Sequence, residues 1–253
     1  MSHILSDIAN GVLTLTIDRP EKKNALTDAM YGALADALES AGKDNAVHVT
    51  VLRGAGDSFC AGNDIADFLA AASGDIGKAN VFRFIRLLGS FPKPLVAGVQ
   101  GRAVGIGTTM LLHCDYVVLA EDAKLSAPFA ALGLVPEAAS SMLLPARIGH
   151  PRAFAIMAMG EVMEAEAALK AGLANALVPN AALDQAVAKA TAHIARLAPQ
   201  AVQATKALMR DQAAMGAAMD AELEVFARQL RSAEAKEAFT AFMEKREPDF
   251  SGL

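Results

Sequence analysis

The sequence predicts an α/β core followed by a purely helical module, and three observations carry that reading. Apolar, β-branched runs alternate with helical periods as far as about residue 180. From residue 181 only helical periods remain, and a boundary near 195 divides a core over 1–195 from a helical module over 196–253. The third observation is Leu95–Asp115, which sets Gly98, Gly101, Gly105 and Gly107 between a short apolar run and a longer one.

A chain of 253 residues, 53% hydrophobic and 20% charged, can bury a sizeable core. Its net charge of -5 comes without a basic block, so neither nucleic acid nor an anionic membrane is an expected partner. No apolar run is long enough to span a bilayer. Cys60 and Cys114 lack metal spacing, and the five histidines are scattered, so no metal site is expected. Two free thiols and no visible signal-peptide pattern suit a cytoplasmic setting.

In chain order, residues 4–17 read as a hairpin about Asn10-Gly11. A polar loop rich in cations follows over Arg19–Leu26. Thr27 then caps a helix over 28–41, with Met30, Leu34, Ala37, Leu38 and Ala41 on one face. Val47–Arg53 is a strand. Gly54–Ile65 is a long loop of small residues in which Phe59, Cys60 and Ile65 read as buried, the kind of loop that carries function on a rigid scaffold. A polar stretch at 73–78 reads as exposed, and Val81–Leu88 as helical.

Leu95–Asp115 reads as strand, glycine-rich turn and buried helix. Glycines let the backbone approach a ligand closely, and a helix start presents unpaired N–H groups. Such a place holds an anion, or an oxygen that becomes one during a reaction. The segment lacks the third glycine of a dinucleotide fingerprint, and the chain has no P-loop.

Tyr116–Ala120 and Lys124–Ser126 read as strands, and Pro128–Pro136 as a loop or short helix. Pro136 is expected to open a helix over 138–146, placing Glu137 in its first turn. A carboxylate there can serve the helix dipole or carry chemistry. Short helices at about 151–159 and 164–171 and a strand at Leu177-Val178 complete the core. The module reads as helices over 181–197, 199–214, 216–231 and 233–246, separated by Pro199, Gly216 and Ser232. Leu223, Phe226 and Leu230 form a packing face, and the methionines of 209–219 read as core filler.

Three separated motifs then coincide. Phe59-Cys60-Ala61-Gly62-Asn63-Asp64-Ile65 resembles the F-x-A-G-x-D loop of the enoyl-CoA hydratase/isomerase (crotonase) family. Gly101–Gly107 resembles that family's second glycine-rich segment. Arg19–Leu26 and Phe242–Arg246 look like its N-terminal CoA loop and its last helix. The resemblance implies repeated ββα units, a helical trimerisation module, and trimers or hexamers. It implies an acyl-CoA thioester whose carbonyl oxygen sits between the backbone N–H groups of Asn63 and Ile106. It places Lys22, Ala25, Leu26, Ala61, Asp64, Ile65, Phe68 and Gly105 around CoA or substrate, and brings Phe242 and Lys245 to the nucleotide end.

The family's hydratases use two glutamates, and their positions here correspond to Thr109 and Phe129. The segment around Glu137 resembles the peroxisomal-type Δ3,Δ2-enoyl-CoA isomerases, in which this glutamate is the acid/base. The resulting expectation is an enoyl-CoA isomerase of fatty-acid metabolism with Glu137 as base, needing no metal and no redox cofactor beyond the CoA of its substrate. A hydratase or another crotonase reaction, or a CoA-binding member without activity, is the alternative.

Overall fold

The computed structural model describes residues 3–72 and 76–253. Nine strands run through the described residues in chain order: β1 (Ile4–Ala9), β2 (Val12–Ile17), β3 (Val49–Gly54), β4 (Leu95–Val99), β5 (Arg102–Val104), β6 (Tyr116–Ala120), β7 (Lys124–Ser126), β8 (Met163–Glu164) and β9 (Ala176–Val178). The large sheet has the order β1-β2-β3-β4-β6-β9. Only the β1–β2 hairpin in it is antiparallel. Asn10 and Gly11 both take positive φ, as a two-residue turn matched to strand twist requires. β3 and β4 are buried on both faces and so read as unbroken apolar runs rather than alternating ones.

The small sheet has the order β5-β7-β8. Each of the pairs β4–β5 and β6–β7 gives its first strand to the large sheet and its second to the small one. The chain therefore crosses between sheets at Gly101, between β4 and β5. The sequence reading ran strand, turn and helix through Leu95–Asp115 and missed β5. The partner of β5 is β7, so the strand exists by a non-local pairing that no local period reveals. The helix is correspondingly short, α4 (Ile106–Thr109) after α1 (Asp28–Lys43), α2 (Ile65–Ala72) and α3 (Asn80–Ser90), and it continues as a 3₁₀ turn over Met110–His113.

α1 begins as expected. Thr27 accepts a hydrogen bond from the Met30 N–H, and Met30, Leu34, Leu38 and Ala41 are buried, joined by Tyr31 and Ala35. Of the three loop residues expected to be buried, Phe59 and Cys60 are, while Ile65 is half-buried. The polar stretch at 73–78 lies partly outside the described residues, and its Gly77 and Lys78 are exposed.

After β7 come α5 (Ser140–Ile148), α6 (His150–Met157), α7 (Ala165–Lys170), α8 (Leu183–Ala195), α9 (Pro199–Leu208), α10 (Gln212–Gln229) and α11 (Ala233–Glu244). α8 covers one face of the large sheet through Leu183 and Val187. Gly216 does not separate two helices. It lies inside α10, which starts where Asp211 accepts a bond from the Ala214 N–H. An interior glycine costs about 1 kcal/mol against alanine, and the buried stripe of Met215, Met219 and Phe226 in the main core offsets it. Met215 and Met219 are thus core residues, whereas Met209 is 80% exposed.

Gly101 has φ +54°, and a Cβ there would lie 1.9 Å from the Asp57 carbonyl oxygen. We expect Gly101→Ala to lose about 2 kcal/mol or more of stability, since both the left-handed backbone and the close approach oppose a side chain. A denaturant midpoint equal to that of the unsubstituted chain would show that the crossing needs no glycine.

Candidate active site

Two loops lie side by side along the small sheet. The Phe59 and Cys60 amides donate to the Arg102 carbonyl at 3.1 and 3.0 Å, and Val104 N–H donates to the Cys60 carbonyl at 2.9 Å. Gly62 and Gly107 permit this closeness. A Cβ on Gly62 would meet the Val104 carbonyl at 3.0 Å, and one on Gly107 the Cys60 carbonyl at 2.4 Å. Asn63 and Ile106 follow from this zipper. Among the described residues no protein acceptor lies on the N–H of either, the Ile106 amide being a free donor at the start of α4.

Tyr31, deep in α1, donates its hydroxyl to Asn63 Oδ1 at 2.5 Å and fixes that side chain. Burial raises the Tyr31 phenol well above its ordinary range, and the surrounding acidic groups Cys60, Glu137 and Asp28 push the same way, so it stays a neutral donor. Burial also pushes the Cys60 thiol up to about 12, which makes it an inert packing group.

Glu137 is 7% exposed. Thr109 Oγ1 donates to its Oε1 at 2.5 Å, and its buried Oε2 has no hydrogen-bond partner. Thr109 stands three residues after Ile106, so the carboxyl is anchored about one helical turn from the free Ile106 amide. Burial pushes the Glu137 carboxyl up to about 8. The Thr109 bond opposes that shift and the nearby Glu222 charge adds to it. A carboxyl that titrates near neutrality can accept a proton and return it.

Glu137 is not in a first helical turn. α5 begins only at Ser140, and both Ala138 and Ala139 are left-handed, with φ of 60° and 55°. Such a backbone costs about 1–2 kcal/mol per non-glycine residue, so it needs partners. Glu222 on α10 supplies them. Its Oε2 accepts from Ala139 N–H at 2.6 Å, and its Oε1 from Ser141 N–H at 2.9 Å and Ser141 Oγ at 2.5 Å. The ring of His113 donates to the Ala138 carbonyl at 2.8 Å. Burial lowers that imidazole to about 4, so it is neutral and Nε2 carries the proton.

The remaining candidates fall into two groups. Leu26 N–H donates to the Gly62 carbonyl and Asp64 N–H to the Leu26 carbonyl, each at 2.8 Å, while Ala61 N–H donates to the Lys23 carbonyl at 3.0 Å. Ala25 accepts from Arg19 through its carbonyl. These bonds bind the N-terminal loop to the Gly62–Asp64 segment, beside Asn63. Asp64 is already engaged, paired with Arg19 at 2.8 Å and accepting from the Asp67 amide at the start of α2, where Ile65 is the first residue. Phe68 is buried and meets Phe226 edge-on at 6.1 Å between ring centres. It shares a small cavity with Tyr31 and Asn63. Gly105 has φ +56° and no atom within 4 Å of a Cβ position, an open spot before Ile106.

Lys22, Phe242 and Lys245 form the second group. All are exposed, and among the described residues no hydrogen bond or ion pair joins Phe242 or Lys245 to the Lys22 loop.

Sequence reasoning missed Tyr31, His113 and Glu222. The first and last left a signal, a polar group at a core position of an apolar helical stripe: Tyr31 next to Met30 and Leu34, and Glu222 within Met215, Met219 and Phe226.

The Glu137 shift has a stability consequence. Its folded proton affinity is raised, so the folded state holds a proton that the unfolded chain releases between about pH 4.5 and about pH 8. Stability from this group is full below that window and is lost as pH rises through it. Relative to Glu137→Gln, which does not titrate, the wild type should therefore lose stability from pH 5 to pH 8 in denaturant titrations. A pH-independent difference would mean that Glu137 is not held neutral.

Comparison with known proteins agrees with this geometry. A sequence model of the family described as enoyl-CoA hydratase/isomerase matches residues 7–252. The chain is 34% identical over 266 residues to the 1,2-epoxyphenylacetyl-CoA isomerase of Escherichia coli, covering 100% of this chain and 99% of that one. It is 37% identical over 245 residues to a probable enoyl-CoA hydratase of Mycobacterium bovis, covering 96% and 97%. A crystal structure of an enoyl-CoA hydratase/isomerase from Pseudoalteromonas atlantica superposes with TM-score 0.93 at 42% identity, covering 98% of this chain and 100% of that one. Fold and sequence thus agree, and the chain belongs to the enoyl-CoA hydratase/isomerase family, with the crotonase fold and an acyl-CoA thioester as its class of substrate.

Proposed function

We propose that this enzyme moves the double bond of a 3-enoyl-CoA to position 2. One observation carries the reading: a buried carboxyl, Glu137, with a free oxygen, anchored one helical turn from an unpaired backbone amide. Glu137 takes the C2 proton, and the C–H electrons form a dienolate. The Asn63 and Ile106 amides hold its oxygen. The Glu137 proton then goes to C4, and the remaining double bond lies between C2 and C3. The step is redox-neutral, so the proposal calls for no cofactor beyond the CoA of the substrate.

Adding water is better served by two carboxylates with free oxygens. Here Thr109 and Phe129 stand where the hydratase glutamates would be, and Thr109 serves as the hydrogen-bond partner of Glu137. The other carboxylate of this region, Glu222, has both oxygens committed to backbone and Ser141 donors. Relatives named as isomerase and as hydratase lie at similar identity, so these side chains, not the likeness, favour isomerisation.

Glu137→Gln should lower kcat by about 10²–10⁴-fold with little change in acyl-CoA binding. kcat/KM of the wild type should rise with pH through about 8, because the ionised form is the base. Faster hydration of a 2-enoyl-CoA than isomerisation of a 3-enoyl-CoA, under matched conditions, would overturn the isomerase reading.

Lys22 and Lys245 are the cations we assign to the CoA phosphates, with Phe242 beside the nucleotide. The reading includes a homo-oligomer, a trimer or hexamer as the family resemblance implies, in which a neighbour brings Phe242 and Lys245 to the nucleotide end. Phe154, Met159 and Leu208 are exposed apolar side chains that such contacts would cover. Light scattering should give a multiple of the 26.3 kDa chain mass; a monomer at micromolar concentration would refute the assembly.

A further inference from the structure

Glu222 lies on α10, far along the chain from the site, yet it is 7% exposed and points inward from an apolar stripe. A buried carboxylate without partners would be strongly unfavourable, and here it has three donors. All three belong to the turn that follows Glu137: the Ala139 amide, the Ser141 amide and the Ser141 hydroxyl. That turn contains the two left-handed alanines, and the amides of Ala139 and Ser141 come round to the side Glu222 occupies, while Ser140 N–H closes the turn on the Glu137 carbonyl. His113 holds the same turn from the opposite element through the Ala138 carbonyl. Glu137 is the residue immediately before it, and Glu137 and Glu222 line one small cavity together with Phe82, Ile85 and Met219.

We propose that Glu222 is a positioning residue: its carboxylate holds the Ala138–Ala139 turn left-handed and so aims Glu137 Oε2 into the site. The proposal rests on the reading of Glu137 as the base. Glu222 does not itself exchange protons with substrate, because each of its oxygens already accepts from the turn. Its charge has a second effect. The groups facing Glu137 are Tyr31 from α1, Cys60 from the glycine loop, Thr109 from α4 and Glu222 from α10. Arg86 of α3 borders the shared cavity but is exposed and paired with Asp220. Of these, Glu222 is the one that adds a like charge against the Glu137 carboxylate, and so favours the protonated form.

Glu222→Gln tests both effects. A glutamine presents an NH₂ group to donors and cannot accept from all three. With the carboxyl misaimed, kcat for 3-enoyl-CoA should fall about tenfold or more while KM stays within about twofold, since a small misplacement is paid in the chemical step. In protein labelled with ¹³C at the glutamate carboxyl, one resonance should titrate near 8 in the wild type and vanish in Glu137→Gln. That resonance should titrate at lower pH in Glu222→Gln. A merely structural Glu222 would lower the melting temperature and leave both readings unmoved, which would overturn the proposal. An unmoved kcat alone, or an unmoved resonance alone, would do the same. If Glu222→Gln does not fold, Ser141→Ala removes one donor from the carboxylate while leaving its charge, so it carries the kcat reading, and an unmoved kcat there would overturn the proposal. A wild-type chain that isomerises no 3-enoyl thioester would sink the isomerase reading, while the resonance would still decide the role of Glu222.

Discussion

The site depends on one backbone-to-backbone contact, the pairing of Cys60 with the Arg102–Val104 strand. Hydrogen bonds from Cys60 to Arg102 and from Val104 to Cys60 draw two remote loops to a separation that only glycine tolerates, at Gly62 and Gly107. Cys60 and Val104 donate those bonds, while Gly62 N–H turns to the Cys60 sulfur, Asp64 N–H to the Leu26 carbonyl and Gly105 N–H to the Ser126 carbonyl, so the Asn63 and Ile106 amides stay free. A pair of free backbone donors built this way needs no particular side chain at either position. It needs instead that the large sheet, the small sheet and the crossing at Gly101 be in place, because the loops have no other reason to meet.

Against that rigid backbone the carboxyl of Glu137 is held by opposing effects. Burial and the Glu222 charge favour the neutral acid, while Thr109 favours the ion. A carboxyl balanced near neutrality can both take and give a proton. An exposed glutamate would be ionised and solvated throughout, and a poor proton donor. The same burial that tunes Glu137 makes Cys60 and Tyr31 chemically quiet, so the site has one group that titrates usefully among several that do not.

The helices after the strands are part of this arrangement. α10 delivers Glu222 to the turn behind Glu137, and Phe226, one turn further on, meets both Phe68 and Phe82 edge-on. α11 packs so closely on the loop before Glu137 that a Cβ at Gly133 would lie 2.6 Å from the Ala235 amide nitrogen. A helical tail that reads from its period as a packing module therefore also contacts the turn after Glu137 and the loop before it.

The sequence by itself determined the α/β class, the hairpin at Asn10-Gly11, the Thr27 cap and the strands of the large sheet, because each rests on local periodicity or on a turn residue with a specific φ. Its glycine-rich motifs were visible without coordinates, and their family resemblance is what pointed to Asn63, Ile106 and Glu137. Only the tertiary structure decided how these meet. β5 exists by pairing with the distant β7, and α5 starts three residues after Glu137 because a carboxylate 81 residues further from Ser141 holds two alanines left-handed. Propensity places alanine in a helix. A buried ion that needs donors outweighs that preference, and where such an ion comes to lie is a property of the packed chain, not of any segment.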